Sequence, residues 1–473
     1  VSARLQSYFD DHQALNQEGI RLLITTLKDI QQLLHQYSVT DVKYFATASI
    51  RQATNKDDIL RVVKEETQIP IHLLTEYEEV FYGYVAVIHS TDVDEGIIID
   101  VGGGSTEVAY FHNRQLKEYH SFPFGALSLK LKFVQGDIPT DQEREHIRQF
   151  IDEQFKTLPW LFEKNIPVIA MGGSARHIGK LHQQFSHYPL EDVDQYELSV
   201  SDIEEMKAQL LPLTFPELQN IEGLSKGRAD TILPSFEVFE AICHLSTATT
   251  LMISEKGIRD GVLYENWLQK DVSQLPLLDD SLNEFKNHFY KGAQDANQTT
   301  KIALRVFNAV NEYEGFEYQF SCEDVTLLKR AARLFNLGKH PKSELSSATF
   351  YLVSNRTLLG LSHKNRLKLA LVASFKSEKQ LKKYVKPYHE WYTEEELNKI
   401  CVLGAILKVS QSLNSSNQNT VLDVKIHPGH DSHWRIHIRC QTYFRSEAYH
   451  FEKQKKHLEK LLNLTLIPQF EIV

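Results

Sequence analysis

The chain has 473 residues, 42% of them hydrophobic and 24% charged, with a formal net charge of −10. This is an ordinary globular composition on a chain too long for one core, so at roughly 150 residues per domain about three domains are expected. No apolar run approaches the roughly 18 residues that span a bilayer, which excludes a membrane-spanning protein, and the acidic total does not favour a specific nucleic-acid partner.

The opening VSARLQSYFDD has no basic segment followed by an apolar one, so no secretory leader is expected, although the lack of an initiating Met is compatible with an upstream piece. Cys243, Cys322, Cys401 and Cys440 lie far apart without CxxC or metal spacing. Unpaired thiols in a reducing cytoplasm are therefore expected. The charge is unevenly spread. Residues 281–473 carry 28 Lys and Arg against 19 Asp and Glu, and the remainder 24 against 43. A basic C-terminal half suits a long polyanion and an acidic N-terminal half suits a divalent cation, though a basic helix is also often a solvated face.

In chain order, apolar spacing predicts a helix over 14–37, a short strand over 42–47, a helix after Asn55, a strand over 71–74 and a helix from Glu76. GIIIDV at 96–101 is a near-continuous apolar run, suited to a strand buried on both faces. Strands follow at STEVAYFH and QLKEYHSF, then helices from Ala126. PVIAMGG at 167–173 predicts strand into glycine turn, SARHIGKLHQQF a helix, and TLMISEKGIRDGVLYE at 250–265 strand, turn and helix start. Beyond about 270 long amphipathic helices dominate to about 415. QSLNSSNQNT at 411–420 is expected to be a linker, ahead of a hairpin in VLDVKIHPGHDSHWRIHIRC and a closing helix in FEKQKKHLEKLL. The pattern is an α/β fold opening with a β-meander, followed by a helical region.

DVGGGSTEV at 100–108 carries the most chemistry. Gly102, Gly103 and Gly104 let the backbone approach an anion, and their amides, with the hydroxyls of Ser105 and Thr106, are suited to phosphate oxygens. No Lys-Ser/Thr follows, which excludes a P-loop, and the next element is a strand, which excludes a dinucleotide fingerprint. Asp100 and Glu107 flank the turn, so a hairpin brings two hard oxygen ligands together for Mg²⁺, which binds through one or two carboxylates and leaves room for phosphate and water. In MGGSARHIGK at 171–180, Gly172, Gly173 and Ser174 fall at a helix N-terminus, a favourable place for a further phosphate.

These residues match a known family. With ATASIRQATN at 46–55, EEVFYGYVAV at 78–87, FPFGALSLK at 122–130, MGGSAR at 171–176, RADTILP at 228–234 and GIRDGVLYE at 257–265 in order around DVGGGSTEV, the chain resembles the Ppx/GppA exopolyphosphatases of the actin and sugar-kinase fold. The resemblance implies two actin-like (ribonuclease H-like) lobes at 1–77 and 78–268, an all-α HD-like domain at 269–412 and a small α+β domain at 413–473. It implies that Glu79 is the general base activating water and Arg51 a phosphate clamp, and that the protein is a cytoplasmic homodimer. The expected activity is Mg²⁺-dependent removal of terminal phosphate from inorganic polyphosphate. Guanosine pentaphosphate hydrolysis, and a non-catalytic polyphosphate or nucleotide sensor, are the alternatives. The chain departs from the family in two places. The family's first Asp-x-Gly-Ser-Asn loop does not occur, so lobe I lacks that phosphate hairpin; either an N-terminal segment has been lost or the activity is reduced or different. Phe335, Asn336, Asn297 and Gln411 stand where HD metal ligands would be, so a binding or dimerisation role without a second metal is expected there.

Overall fold

Four successive buried residues, Gly96 to Ile99, open the strand around which the N-terminal part of the chain is built. The structure, a computed structural model, describes residues 5–10, 12–268, 279, 281–283, 285, 296–335, 337, 345–429 and 432–473. Its contacts divide the chain into two units, Val1–Leu275 and Pro276–Val473.

The first unit is mixed α/β. Its elements are helix α1 (Gln17–Gln36), strand β1 (Phe45–Ala46), the single turn α2 (Ala48–Arg51), α3 (Lys56–Thr67), β2 (His72–Leu73) and α4 (Glu76–Ile88). The meander β3 (Gly96–Val101), β4 (Thr106–His112) and β5 (Gln115–Phe122) follows, with α5 (Ala126–Phe133), α6 (Asp141–Phe155), β6 (Val168–Met171), α7 (Gly172–Phe185), β7 (Tyr196–Leu198), α8 (Val200–Leu210), α9 (Phe215–Asn220), α10 (Ile232–Ser246), β8 (Leu251–Ile253) and α11 (Ile258–Leu268). β1 and β2 pair in parallel, and the remaining strands form a six-stranded sheet in the order β5-β4-β3-β6-β8-β7. The parallel β3-β6-β8 centre is covered on both faces, as such sheets require. Ile97, Ile99 and Val101 enter one core with Phe155, Ala170 and Phe236, whereas Ile98 enters the other with Val80, Tyr84, Ala109 and Met171. A third cluster, including Ile20, Leu27, Ile59 and Val63, joins α1 to α3 and the elements beside them.

α4 is fixed along its length. Thr75 and Glu78 form a capping box, with Glu78 N–H donating to Thr75 Oγ1 at 3.2 Å and Thr75 N–H to Glu78 Oε2 at 2.8 Å. At the other end, the Arg114 guanidinium donates to the carbonyls of Ile88, Thr91 and Val93, which satisfies acceptors that a helix terminus leaves open. Midway, α11 crosses so closely that a side chain at Gly261 would collide with the Tyr82 backbone.

In the second unit, α12 (Ala296–Asn311), α13 (Cys322–Leu334), α14 (Leu345–Ser354), α15 (His363–Ala373) and α16 (Glu378–Val385) precede α17 (Glu394–Ser412), which is buried from Ile400 to Leu407. β9 (Val421–His427), β10 (His433–Cys440), α18 (Arg445–Gln454), α19 (Lys456–Leu462) and β11 (Thr465–Ile472) complete it. The sheet order is β11-β10-β9, and the closing strand, carrying Pro468 on an edge where Pro is tolerated, has no counterpart in the sequence reading. The polar stretch read as a linker is a hydrogen-bonded turn. Asn414 is buried and accepts from Asn419 N–H, and Ser416 N–H donates to Glu447, because Asn and Ser side chains satisfy turn backbone as readily as water does. Among the described residues no helix is long and apolar enough to cross a membrane.

Gly261→Ala is expected to cost about 1–3 kcal/mol through overpacking, read as a lower urea midpoint at unchanged slope. Gly227→Ala, with nothing within 4 Å of the new methyl, serves as the comparison; equal losses in both would refute the close crossing.

Candidate active site

The β3–β4 hairpin sets the centre of the site. Antiparallel register places Asp100 opposite Glu107 and Val101 opposite Thr106, with Gly102–Ser105 as the turn. Gly102 N–H donates to Ser105 O at 3.0 Å, and the Gly102 and Gly103 carbonyls accept from Ala126, Leu127 and Ser128 at the start of α5, at 2.9 to 3.0 Å. The N-terminus of α5 is therefore occupied by the loop's own carbonyls, which fixes the loop's position.

Glu79, from the first turn of α4, completes a group of three carboxylates. Glu79, Asp100 and Glu107 line a cavity of about 10 Å³, whose other walls include Val80, Gly83, Ile98, Ala109 and Met171. Glu79 is 4% exposed and pairs with Arg51 Nη1 at 2.5 Å; Arg51 also donates to Leu74 O at 3.0 Å. Burial raises the Glu79 proton affinity, while Arg51, Thr47 and the Ala48 amide oppose the rise. Asp100 is pushed up to about 6 by burial and by the Glu79 charge, against the pull of Arg176 and Arg228. Glu107 is pushed up to about 8 by burial and by the charges of Glu79 and Asp100, although Ser105 and Ser121 donate to it, the latter at 3.1 Å.

The second glycine turn meets the first across the parallel pair β3–β6, where Asp100 is in register with Met171. Gly172 starts α7 with φ +88°, and a side chain there would strike Asp100 Oδ1, so both the left-handed backbone and the carboxylate demand glycine. A Cβ at Gly173 would lie 2.5 Å from Arg228 Nη2. Arg228 Nη1 also approaches Ser174 Oγ at 3.4 Å.

The geometry thus brings Arg51, Glu79, Asp100, Glu107 and the two glycine turns together. Thr106 is fully buried and donates its hydroxyl to Phe124 O at 2.7 Å. The Ser105 hydroxyl is committed to Glu107, and Ser174 is 2% exposed. Arg176 and Arg228, which act electrostatically on Asp100, were missed as site residues; both lay inside quoted motifs, but no spacing rule ties them to a carboxylate 76 and 128 positions away. In the second unit, Asn297 is exposed, Gln411 accepts from Thr299 Oγ1 at 3.0 Å, and Phe335 follows α13. Asn336 lies outside the described residues.

Among the described residues no group of three or more His, Cys, Asp or Glu is arranged to hold a metal. Mg²⁺, however, needs only one or two carboxylates when phosphate and water fill its other positions. Asp100 and Glu107, paired across the hairpin, fit it as hard oxygen donors, and burial first and neighbouring carboxylates second raise their proton affinities.

Comparison with known proteins gives the family. The model of the Ppx/GppA phosphatase family matches residues 1–270, more than half of the chain, and the chain belongs to that family. A bifunctional 3-dehydroquinate synthase/phosphatase of Fusobacterium nucleatum is 23% identical over 259 residues, 53% of this chain and 39% of the relative. The chain thus spans about two fifths of that protein's length. An exopolyphosphatase homologue of Haemophilus influenzae is 24% identical over 265 residues, covering 55% of this chain and 80% of the relative. The crystal structure of an exopolyphosphatase from Cytophaga hutchinsonii superposes with a TM-score of 0.50 at 20% identity, over 55% of this chain and 86% of that one, a likeness of fold. Exopolyphosphatase homologues in the family are phosphoanhydride hydrolases.

Both raised carboxyl groups hold protons in the folded chain that the unfolded chain releases. Their contribution to stability is full below about pH 4 and is lost as pH rises through about 6 for Asp100 and about 8 for Glu107. Glu107→Gln is accordingly expected to stabilise the protein at pH 8, by on the order of a few kcal/mol at ~1.4 kcal/mol per pKa unit, and to leave it unchanged near pH 4. Denaturant midpoints at the two pH values check this, and a variant destabilised at pH 8 would refute the reading.

Proposed function

We propose that this chain hydrolyses terminal phosphoanhydride bonds, with inorganic polyphosphate as its substrate and Glu79 as general base. The observation that carries the proposal is the convergence of Glu79, Asp100 and Glu107 beside two glycine turns, with Arg51 paired to Glu79. Phosphoryl transfer asks little more of a protein than charge neutralisation, alignment and an oriented nucleophile. In this reading water sits against Glu79 and attacks the terminal phosphorus. The new P–O bond forms as the bridging P–O bond breaks, the bridging electron pair leaves with the shortened chain, and the water proton passes to the Glu79 carboxylate.

Arg51 makes that base conditional on substrate. Pairing with Arg51 opposes part of the rise that burial gives the Glu79 proton affinity. A phosphate oxygen drawing the guanidinium fork toward itself leaves Glu79 to its buried surroundings, and its affinity for a proton rises as the water must lose one. Gly103 and Gly104, with the N-terminus of α7 at Gly172 and Gly173, receive phosphate oxygens. Asp100 and Glu107 hold Mg²⁺, which when bound supplies charge neutralisation of the phosphate tail. The actin-like arrangement of lobes and the HD-like character of the helical region belong to the same proposal. A guanosine pentaphosphate ends in the same anhydride, so it is the second substrate to consider.

Two measurements test the reading. Glu79→Gln is expected to reduce phosphate release from long-chain polyphosphate by at least a hundredfold while keeping polyphosphate affinity within a fewfold; retained turnover removes Glu79 as the base. Mg²⁺ is expected to raise the melting temperature more at pH 8 than at pH 5, because protons compete for Asp100 and Glu107 at the lower pH, and EDTA is expected to abolish release. Release that persists in EDTA would remove the metal from the proposal.

A further inference from the structure

Positive charge gathers in the second unit where three segments converge on Phe375. α17 passes so close that a Cβ at Gly404 would lie 2.5 Å from Phe375 Cβ, and the ring of His457, on α19, meets the Phe375 ring edge to face at 6.2 Å. One turn beyond Gly404, Lys408 Nζ donates to the carbonyl of Lys376, the residue after Phe375, and to His457 Nε2, the latter at 3.2 Å. Lys408 and His457 are half-buried, and Lys376 and Lys456, which act on Lys408 electrostatically, are exposed.

Burial, then Lys376 and Lys456, bring Lys408 down to about 8, and burial, then Lys408, Lys456 and Lys460, bring His457 down to about 4. Among the described residues no carboxylate acts on either group. Glu378, at the start of α16, is committed elsewhere: it accepts from Lys382 at 2.8 Å and from Lys460 at 2.7 Å. An ammonium packed against an imidazole, with further ammonium groups around them, carries a repulsion that an anion removes. Charge decides which anion. Lys376, Lys408 and Lys456 are all cationic, so a dianion leaves less uncompensated than a carboxylate or a halide does. A tetrahedral oxyanion can also accept from Lys408 and His457 through separate oxygens.

We propose that Lys408 and His457, with Lys376 and Lys456 around them, bind a tetrahedral dianion, the phosphate group of orthophosphate or of a phosphate ester, together with a proton taken up on His457 Nε2. The site lies within the second unit and does not rest on the hydrolytic reading of the first. Under that reading orthophosphate is also the product released.

The test is calorimetric titration of the full chain at pH 6 in EDTA, in two buffers of different ionisation heat. Sulfate is the probe, because it does not itself titrate there. At that pH free Lys408 is charged and free His457 neutral, so proton uptake on binding reports the imidazole. The wild type is expected to bind sulfate with proton uptake, and Lys408→Gln to weaken binding about tenfold. Lys456→Gln, an exposed change that leaves the packing alone, is expected to weaken it about threefold, and His457→Gln to abolish the uptake. Orthophosphate and methyl phosphate, titrated in the same way, separate the sources: Lys408-dependent binding that is lost with the ester assigns the site to the free ion, and binding that is kept assigns it to phosphate esters as well. Absent sulfate binding, affinity unchanged in both lysine variants, or uptake that survives His457→Gln would each overturn the proposal.

Discussion

Glu79, Asp100 and Glu107 are held together in a largely buried place, and much of the first unit's polar structure answers the cost of putting them there. Burial and mutual charge raise the proton affinities of Asp100 and Glu107, and a buried charge is tolerated only when something opposite or hydrogen-bonding faces it. Here the opposing groups come from separate parts of the chain: Arg51 from the turn α2, Arg176 from α7, Arg228 from the segment before α10, and the Ser105 and Ser121 hydroxyls from the meander. None of them neutralises the group completely. A site left short of positive charge is one that a cation and a polyanion can enter together, each offsetting what the other would cost alone.

The loop geometry follows from the same constraint. Gly172 must be glycine because Asp100 occupies the space of its side chain, and the loop at Gly102–Ser105 is pinned by the amides of α5. Two turns from distant parts of the sequence are thereby held at the same end of the sheet, through Asp100's register with both Glu107 and Met171.

Much of this fold was legible because its central strand is extreme. An uninterrupted apolar run such as GIIIDV at 96–101 has few other places to go, and the hairpin that follows makes the Asp100–Glu107 pairing a matter of counting across a turn. Two strands were not legible: Tyr196–Leu198 has only three residues, and the eight-residue closing strand is interrupted by Pro468, which argues against a strand. Glu79 illustrates another limit. Nothing in its helical spacing separates it from Glu76 or Glu78, and only resemblance to a family singled it out, while the structure distinguishes it by burial. Arg228 reaches Ser174 across 54 positions, a proximity that only the tertiary fold creates. The hydroxyl of Thr106, next to a glycine turn, reads as a ligand for anions, and in the fold it donates to a backbone carbonyl.

The fixing of α4 has a consequence for motion. A helix capped at its start, tied through its last carbonyl to a guanidinium that also holds two carbonyls just beyond it, and crossed at its middle without room for a methyl group has little freedom to fray or bend on its own. Its amides belong with the part of the unit that exchanges with solvent only when the whole unit opens. A rod of that kind transmits displacement without absorbing it, so that whatever flexing accompanies the arrival and departure of a ligand must be taken up by the loops around Glu79, with the helix that carries it moving as one piece.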